Sequence, residues 1–117
     1  MTAVPCPLLA PMIEHGAGPD DPALAAAVAE YCQPLLQSGV DTVVLGCTHY
    51  PFAAKAISRV LGCGVALLDG GDGTARETRR RLAEAGLLEN GTGEVILTNS
   101  LPDKSILELS RKLLDEK

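Results

Sequence analysis

Continuous apolar runs and helically spaced apolar residues alternate along this chain. Three short runs, at Val40 to Leu45, Val65 to Leu68 and Glu94 to Thr98, lack a regular exchange of apolar and polar residues. Runs of this kind are typical of strands in a parallel sheet that is covered on both faces. The pattern therefore predicts three buried strands, with helices in the segments between them.

The first long helix is predicted to start at Asp20-Asp21-Pro22. Acidic residues are favoured at a helix N-cap, and proline is favoured in the first turn. Apolar residues then recur at helical spacing, at Leu24, Val28, Tyr31, Leu35 and Leu36. Pro34 should kink or end this helix within one turn, and Gly39 closes it.

Three further helices are predicted, at Phe52 to Leu61, Thr74 to Ala85 and Asp103 to Leu114. The opening segment, Ala3 to Met12, is rich in proline, which cannot donate a hydrogen bond to a strand ladder. This segment is therefore predicted to be a short strand end followed by an irregular loop. Glu14 then lies in a proline-bounded loop, where the residues alone favour a solvated carboxylate.

The alternation of strands and helices predicts the α/β class, with a parallel sheet in αβα layers and one domain over residues 1–117. The net charge of −5 argues against nucleic acid or an anionic membrane as a partner. No apolar run reaches about 18 residues, so no transmembrane helix is expected. The N-terminus lacks the charged and apolar regions of a secretory signal, and the predicted location is cytoplasmic.

Four cysteines, at positions 6, 32, 47 and 63, are widely and irregularly spaced. There is no C-x-x-C pair and no cluster of Cys and His at metal-ligand spacing, so no metal site is expected. In a reducing compartment a disulfide framework is not expected either.

The candidate chemistry lies in residues 41–51, DTVVLGCTHYP. The apolar run predicts a strand that delivers Cys47 to the start of a helix opened by Pro51. A helix N-terminus favours a thiolate, the reactive form of cysteine. His49 adds a second proton-handling group. The alternative from the residues alone is a buried cysteine that packs as a small hydrophobe.

The GCTHYP hexapeptide after DTVVL resembles the second cysteine motif of the bacterial glutamate racemases, in the aspartate/glutamate racemase family. Other segments extend the likeness: residues 4–14, VPCPLLAPMIE; residues 31–35, YCQPL; and Leu68-Asp69 with the small-residue turn and helix that follow. The resemblance covers most of the chain and is least specific over the last 25 residues.

The resemblance implies a reaction that inverts the α-carbon of glutamate without a cofactor, with two cysteines on opposite faces of the substrate. Cys47 would be the base for one enantiomer and the acid for the other. His49 would stand behind it as a proton-handling or orienting group, tuned by Glu14. Thr48, with His49, would bind the substrate, taking a carboxylate through its hydroxyl and backbone N–H. The product, D-glutamate, would feed peptidoglycan synthesis.

Two motifs of the family are missing from this sequence. One is the Ala-Cys-Asn-Thr-Ala-like motif of the first cysteine, and the other is an Asp-Ser pair that helps bind substrate. The chain therefore resembles the C-terminal portion of a racemase and an incomplete part of its two-domain fold. With Cys47 alone, it is expected to be inactive by itself. The partner would be an N-terminal racemase half, or the chain would form a homo-oligomer.

Two other interpretations remain open. The chain could be a one-cysteine relative similar to arylmalonate decarboxylase, in which a single cysteine protonates one face of the substrate. It could also be a non-catalytic module or truncated fragment that keeps the fold without the chemistry.

Overall fold

The computed structural model describes residues 1–89 and 91–115. The described residues form a short parallel sheet flanked by helices. The elements are α1 (Leu9–Glu14), α2 (Pro22–Gln37), β1 (Thr42–Val44), a 3₁₀ helix (Tyr50–Ala53), α3 (Ala54–Leu61), β2 (Ala66–Leu68), α4 (Gly71–Glu84) and α5 (Lys104–Asp115).

Helix α2 begins where its sequence predicts. The Asp21 carboxylate accepts hydrogen bonds from the backbone N–H groups of Ala23, at 2.8 Å, and Leu24, at 3.2 Å. These are two of the amides that an α-helix leaves without an internal partner. Pro34 lies inside the last turn, and Gly39 follows the helix with a φ of 58°. The predicted ending of this helix is confirmed.

Helix α1 occupies a segment that was expected to be irregular. Pro11 is its third residue, and the amides of the first helical turn need no acceptor inside the helix, so proline costs little there. Leu9 and Ile13, one turn apart, are both buried. The loop prediction is therefore wrong from Leu9 onwards, and Glu14 is the last residue of a helix rather than part of a loop.

The sheet consists of β1 and β2, paired in parallel. The parallel pairing confirms the α/β class. Val43 and Leu67 face the core, whereas Val44 is 70% exposed and Leu68 is 53% exposed on the opposite face. The first strand is thus shorter than predicted and buried on one face only, because no described element covers the second face.

The third predicted strand, Glu94 to Thr98, is absent from the structure. Its segment carries the exposed side chains of Val95, at 75%, and Ile96, at 71%. A strand requires a neighbour to satisfy its backbone groups. No described strand lies beside this segment, so its apolar composition alone does not make it a strand.

The hydrophobic core lies among α1, α2, α3 and the residue that follows β1. Its buried members are Leu9, Ile13, Leu24, Val28, Cys32, Leu45, Ala53, Ala56, Ile57 and Leu61. Helix α4 buries no side chain, and α5 reaches the core only through Leu113, which is partly buried. The core therefore fixes the elements on either side of residues 46–49. Among the described residues, no helix has the length and apolar character needed to cross a membrane.

Candidate functional site

The cysteine motif follows β1 as a bend. Leu45 is buried and anchored to the sheet by a 2.8 Å hydrogen bond from its N–H to the Leu68 carbonyl. Cys47 is half-buried immediately beyond this anchor, and its Sγ lies 3.9 Å from His49 Nδ1. This distance suits a weak sulfur–nitrogen hydrogen bond. The expected pairing of a thiol with a proton-handling group is therefore present.

Glu14 reaches the same histidine from the end of α1. Its Oε1 lies 2.9 Å from His49 Nε2, and the two side chains are 60% and 33% exposed, respectively. A carboxylate only accepts hydrogen bonds, so Nε2 must carry the hydrogen of this contact. In neutral His49 this leaves the Nδ1 lone pair facing Cys47. A carboxylate behind a histidine commonly fixes ring orientation and tautomer in this way.

Thr48 is exposed and lies on the same side of the ring. Its Oγ1 is 3.4 Å from His49 Nδ1, so the hydroxyl and the Cys47 thiol share one nitrogen. Sequence analysis singled out Glu14, Cys47, Thr48 and His49, and the structure brings all four side chains together. This arrangement can pass a proton between the Cys47 thiol and the His49 ring.

The helix that follows starts later than its sequence suggests. Tyr50 opens a 3₁₀ helix, and the α-helical part begins only at Ala54. The field of a helix terminus fades within about one turn. Cys47, three residues before Tyr50, therefore gains less from that field than the sequence predicted, and His49 is the main group available to assist it.

Tyr50 is a member of this neighbourhood that sequence reasoning missed. Its hydroxyl donates a 3.3 Å hydrogen bond to the Cys6 carbonyl, just before α1. Burial raises the pKa of Tyr50, with the nearby thiols of Cys6 and Cys47 adding to the effect. The only available signal was its position directly after His49, which does not reveal a contact with the opening segment.

Cys6 and Cys32 are less readily deprotonated than an ordinary cysteine. Burial raises the pKa of the Cys6 thiol, although a hydrogen bond with Tyr50 partly offsets this. Burial also raises the pKa of Cys32, and proximity to Cys6 adds to the shift. Both groups are held as thiols near neutral pH. Among the described residues, no three His, Cys, Asp or Glu side chains are arranged to hold a metal ion.

The known proteins to which this chain is similar are glutamate racemases. No family model matches the chain. A glutamate racemase of Clostridium perfringens is 40% identical over 97% of this chain and 44% of its own length. A glutamate racemase of Herpetosiphon aurantiacus is 49% identical over 76% of this chain and 35% of its own length.

Solved structures agree with the sequence relatives. The glutamate racemase of Thermus thermophilus in complex with beta-chloro-D-alanine has a TM-score of 0.74 and 38% identity, over 92% of this chain and 41% of that one. A glutamate racemase isoform of Bacillus anthracis has a TM-score of 0.73 and 27% identity, over 96% and 42%. The chain belongs to the glutamate racemase family and matches the C-terminal portion of its members.

The match to glutamate racemases covers only part of their length. The chain spans about 44% of the length of the Clostridium perfringens racemase. The matched part of this chain includes residues 46–51, which contain Cys47, Thr48 and His49. The roles of these residues and of Glu14 stay predictions, because the comparisons concern whole sequences and folds rather than individual side chains.

Proposed function

We propose that this chain supplies one of the two acid–base cysteines of a cofactor-independent glutamate racemase. The observation that carries the proposal is the line of contacts from Cys47 Sγ to His49 Nδ1, at 3.9 Å, and from His49 Nε2 to Glu14, at 2.9 Å. Such a line suits proton transfer, because it gives a thiol a neighbouring base whose tautomer is fixed. The racemase relatives give the proposal its substrate, glutamate.

The proposed reaction begins with Cys47 as a thiolate. Its sulfur takes the α-proton of one glutamate enantiomer, and the electron pair of the broken C–H bond stays on the substrate as a carbanion. A thiol on the opposite face then gives its own proton to that carbon, which inverts the configuration. In the reverse direction Cys47 is the thiol and donates the proton.

His49 and Thr48 have separate tasks in this scheme. His49 accepts the thiol proton of Cys47 at Nδ1 before the reaction, and Glu14 at Nε2 stabilises the imidazolium that forms. Thr48, exposed on the same side of the ring, presents a hydroxyl that can donate a hydrogen bond to a substrate carboxylate. This assignment predicts that Thr48 affects substrate affinity more than the proton-transfer step.

The second cysteine and the remaining substrate-binding groups would come from an N-terminal racemase half. The exposed apolar side chains of Val44 and Leu68 on the open sheet face offer a surface for such a half. A cavity of about 530 Å³ beside β1, lined by Val4, Cys6 and Tyr31 among others, continues that surface. The product, D-glutamate, would serve peptidoglycan synthesis in the cytoplasm.

The test is α-proton exchange in D₂O, followed by proton NMR, with L- and D-glutamate supplied separately. The chain is measured alone and after mixing with the N-terminal portion of the Clostridium perfringens racemase, while the complete racemase serves as the positive control. Exchange with inversion is expected on mixing, lost in Cys47→Ala and retained in Cys63→Ala. Cys63 is the matched control because it is exposed in a turn away from the site.

Three results would count against the proposal. Exchange that survives Cys47→Ala would show that another group removes the proton. No exchange in the mixture, when the complete racemase is active under the same conditions, would favour a non-catalytic fragment. Exchange by the chain alone with retained configuration would instead favour the one-cysteine alternative similar to arylmalonate decarboxylase.

A further inference from the structure

Helix α1 is attached to the cysteine motif at both of its ends. At its C-terminal end Glu14 contacts His49, and at its N-terminal end the Cys6 carbonyl accepts a hydrogen bond from Tyr50. His49 and Tyr50 are consecutive residues. The two contacts therefore close a ring that runs from Tyr50 through Cys6, along α1 to Glu14, and back through His49.

The Cys6 carbonyl has a particular place in this ring. It also accepts the N–H of Leu9, at 3.2 Å, in the turn that leads into α1. The Tyr50 hydroxyl thus binds the acceptor from which the helix starts. A shift of that carbonyl moves the first turn of α1, and a rigid helix transmits the movement to Glu14, about 9 Å further along.

The apolar packing of α1 does not supply this control. An isolated helix of six residues is unstable in water, so α1 takes its form from its surroundings. Burial of Leu9 and Ile13 holds the helix against the core, but apolar burial is non-directional and tolerates small slides and rotations. A hydroxyl–carbonyl hydrogen bond is directional, and the 3.3 Å bond from Tyr50 restrains the position of the helix along its axis.

We propose that Tyr50 is a positioning residue whose hydroxyl, acting through the Cys6 carbonyl and α1, sets the distance between Glu14 and His49. The inference rests on the proposed role of His49 beside Cys47. It goes beyond that role because it places the control of the histidine in a hydroxyl that binds the Cys6 carbonyl, outside the cysteine motif.

The chain offers a matched control in its other tyrosine. The Tyr31 hydroxyl accepts a 3.2 Å hydrogen bond from the Leu8 N–H, in the same turn before α1. Tyr31 lies on α2 and is not part of the ring. Tyr31→Phe therefore removes a hydroxyl that binds the same turn, while the path from Tyr50 to His49 stays intact.

The experiment is long-range proton–nitrogen NMR of the ¹⁵N-histidine-labelled chain at one fixed pH. His15, whose Nδ1 lies 2.6 Å from the Pro11 carbonyl, serves as an internal reference for α1. Glu14→Gln defines the His49 Nε2 chemical shift without a carboxylate partner. Tyr50→Phe is expected to move that shift towards the Glu14→Gln value, whereas Tyr31→Phe leaves it at the wild-type value.

A second variant keeps the test decisive if Tyr50→Phe folds poorly. Glu14→Asp shortens the side chain by one methylene while Tyr50 stays in place. A helix held in place cannot move to restore the contact with His49. The His49 Nε2 chemical shift should therefore again approach the Glu14→Gln value. A wild-type shift in Tyr50→Phe or Glu14→Asp, or equal shifts in the two tyrosine variants, would overturn the inference. These chemical-shift measurements need no catalytic turnover, so their outcome does not depend on whether the racemase proposal is correct.

Discussion

His49 is the residue on which the other members of the site converge. Its Nδ1 faces Cys47 and Thr48, and its Nε2 faces Glu14. The Glu14–His49 pair is partly exposed, and pairs of this kind contribute little to folding stability. Its significance is therefore in the orientation of the ring rather than in holding α1 to the core.

Replacing Glu14 by Gln should separate these two effects. The free energy of unfolding is expected to change by less than about 0.5 kcal/mol, because the pair is solvent-screened. The α-proton exchange rate of the chain mixed with an N-terminal half should fall at least about tenfold, because neutral Gln can also accept from Nε2 but stabilises a charged imidazole poorly. Urea unfolding and D₂O exchange measure the two quantities.

The control for that change is Asp20→Asn, which removes an exposed carboxylate paired with Arg59 at 2.8 Å. It should alter neither the exchange rate nor, by more than a few tenths of a kcal/mol, the stability. Equal losses of exchange in the two variants would indicate a general effect of charge and argue against a role for Glu14.

The cysteines should differ in their alkylation by iodoacetamide. Burial raises the pKa of Cys6 and Cys32 above 9.0, so at pH 8 each has a smaller thiolate fraction than an ordinary thiol. Both should react slowly there and accelerate only as the pH rises past 9, while exposed Cys63 reacts ahead of both. Tandem mass spectrometry of time points locates the label. Faster labelling of Cys32 than of Cys63 at pH 8 would contradict this order.

The sequence indicates the members of the site better than their contacts. Cys47 and His49 are two positions apart, so their proximity follows from any turn after the strand. Glu14 joins them only through tertiary packing, and the resemblance to racemases was the sole ground for expecting it there. The contact between Tyr50 and Cys6 spans 44 positions and leaves no local pattern in the sequence.

Local capping governs the elements that were predicted well. Helix α2 begins at the Asp21-Pro22 signal, and the helix after β2 ends before Gly86, whose φ is 69°. Two of the errors arose because the prediction left out the structural surroundings of a segment. The opening segment was predicted to be irregular because proline cannot donate to a strand ladder, but proline costs little in the first turn of a helix. A strand was predicted at Glu94 to Thr98, but no described strand lies beside that segment.

The cap of α2 can be tested by substitution. Asp21→Ala removes the acceptor for two backbone amides and should lower the free energy of unfolding by about 1 kcal/mol, within a range of about 0.5 to 2. Asp20→Ala is the neighbouring control and should cost less than half as much, because its carboxylate makes only an exposed ion pair. Urea titrations followed by circular dichroism give both values. Equal decreases in the free energy of unfolding in the two variants would show that loss of the cap hydrogen bonds is not the cause.

At the scale of the whole molecule, packing is uneven. The radius of gyration is 17.0 Å, compared with about 13 Å for a typical compact domain of this length. The buried side chains belong to the first part of the chain, up to Leu61, whereas α4 buries none. The first part is therefore the stable unit, and the helices beyond β2 depend on it little.

Limited digestion with trypsin should expose this difference. The first cuts are expected after the arginines of α4, at positions 76, 79, 80 and 81, because local opening is easiest where few side chains are buried. Lys55 and Arg59, on α3 against the core, should be cut later and together with global unfolding. Early cleavage at either of these two sites would contradict the proposed distribution of stability.

The ring through Tyr50 and Glu14 also has a consequence for the order of folding. Its contacts join α1 to residues that follow the whole of α2 and β1, and closing a long loop costs entropy before the contact is gained. Helix α2 can form from local signals alone. The histidine can acquire its carboxylate partner only after the distant segments have met. During refolding, the proton-transfer geometry therefore matures late, after most of the helical signal has returned.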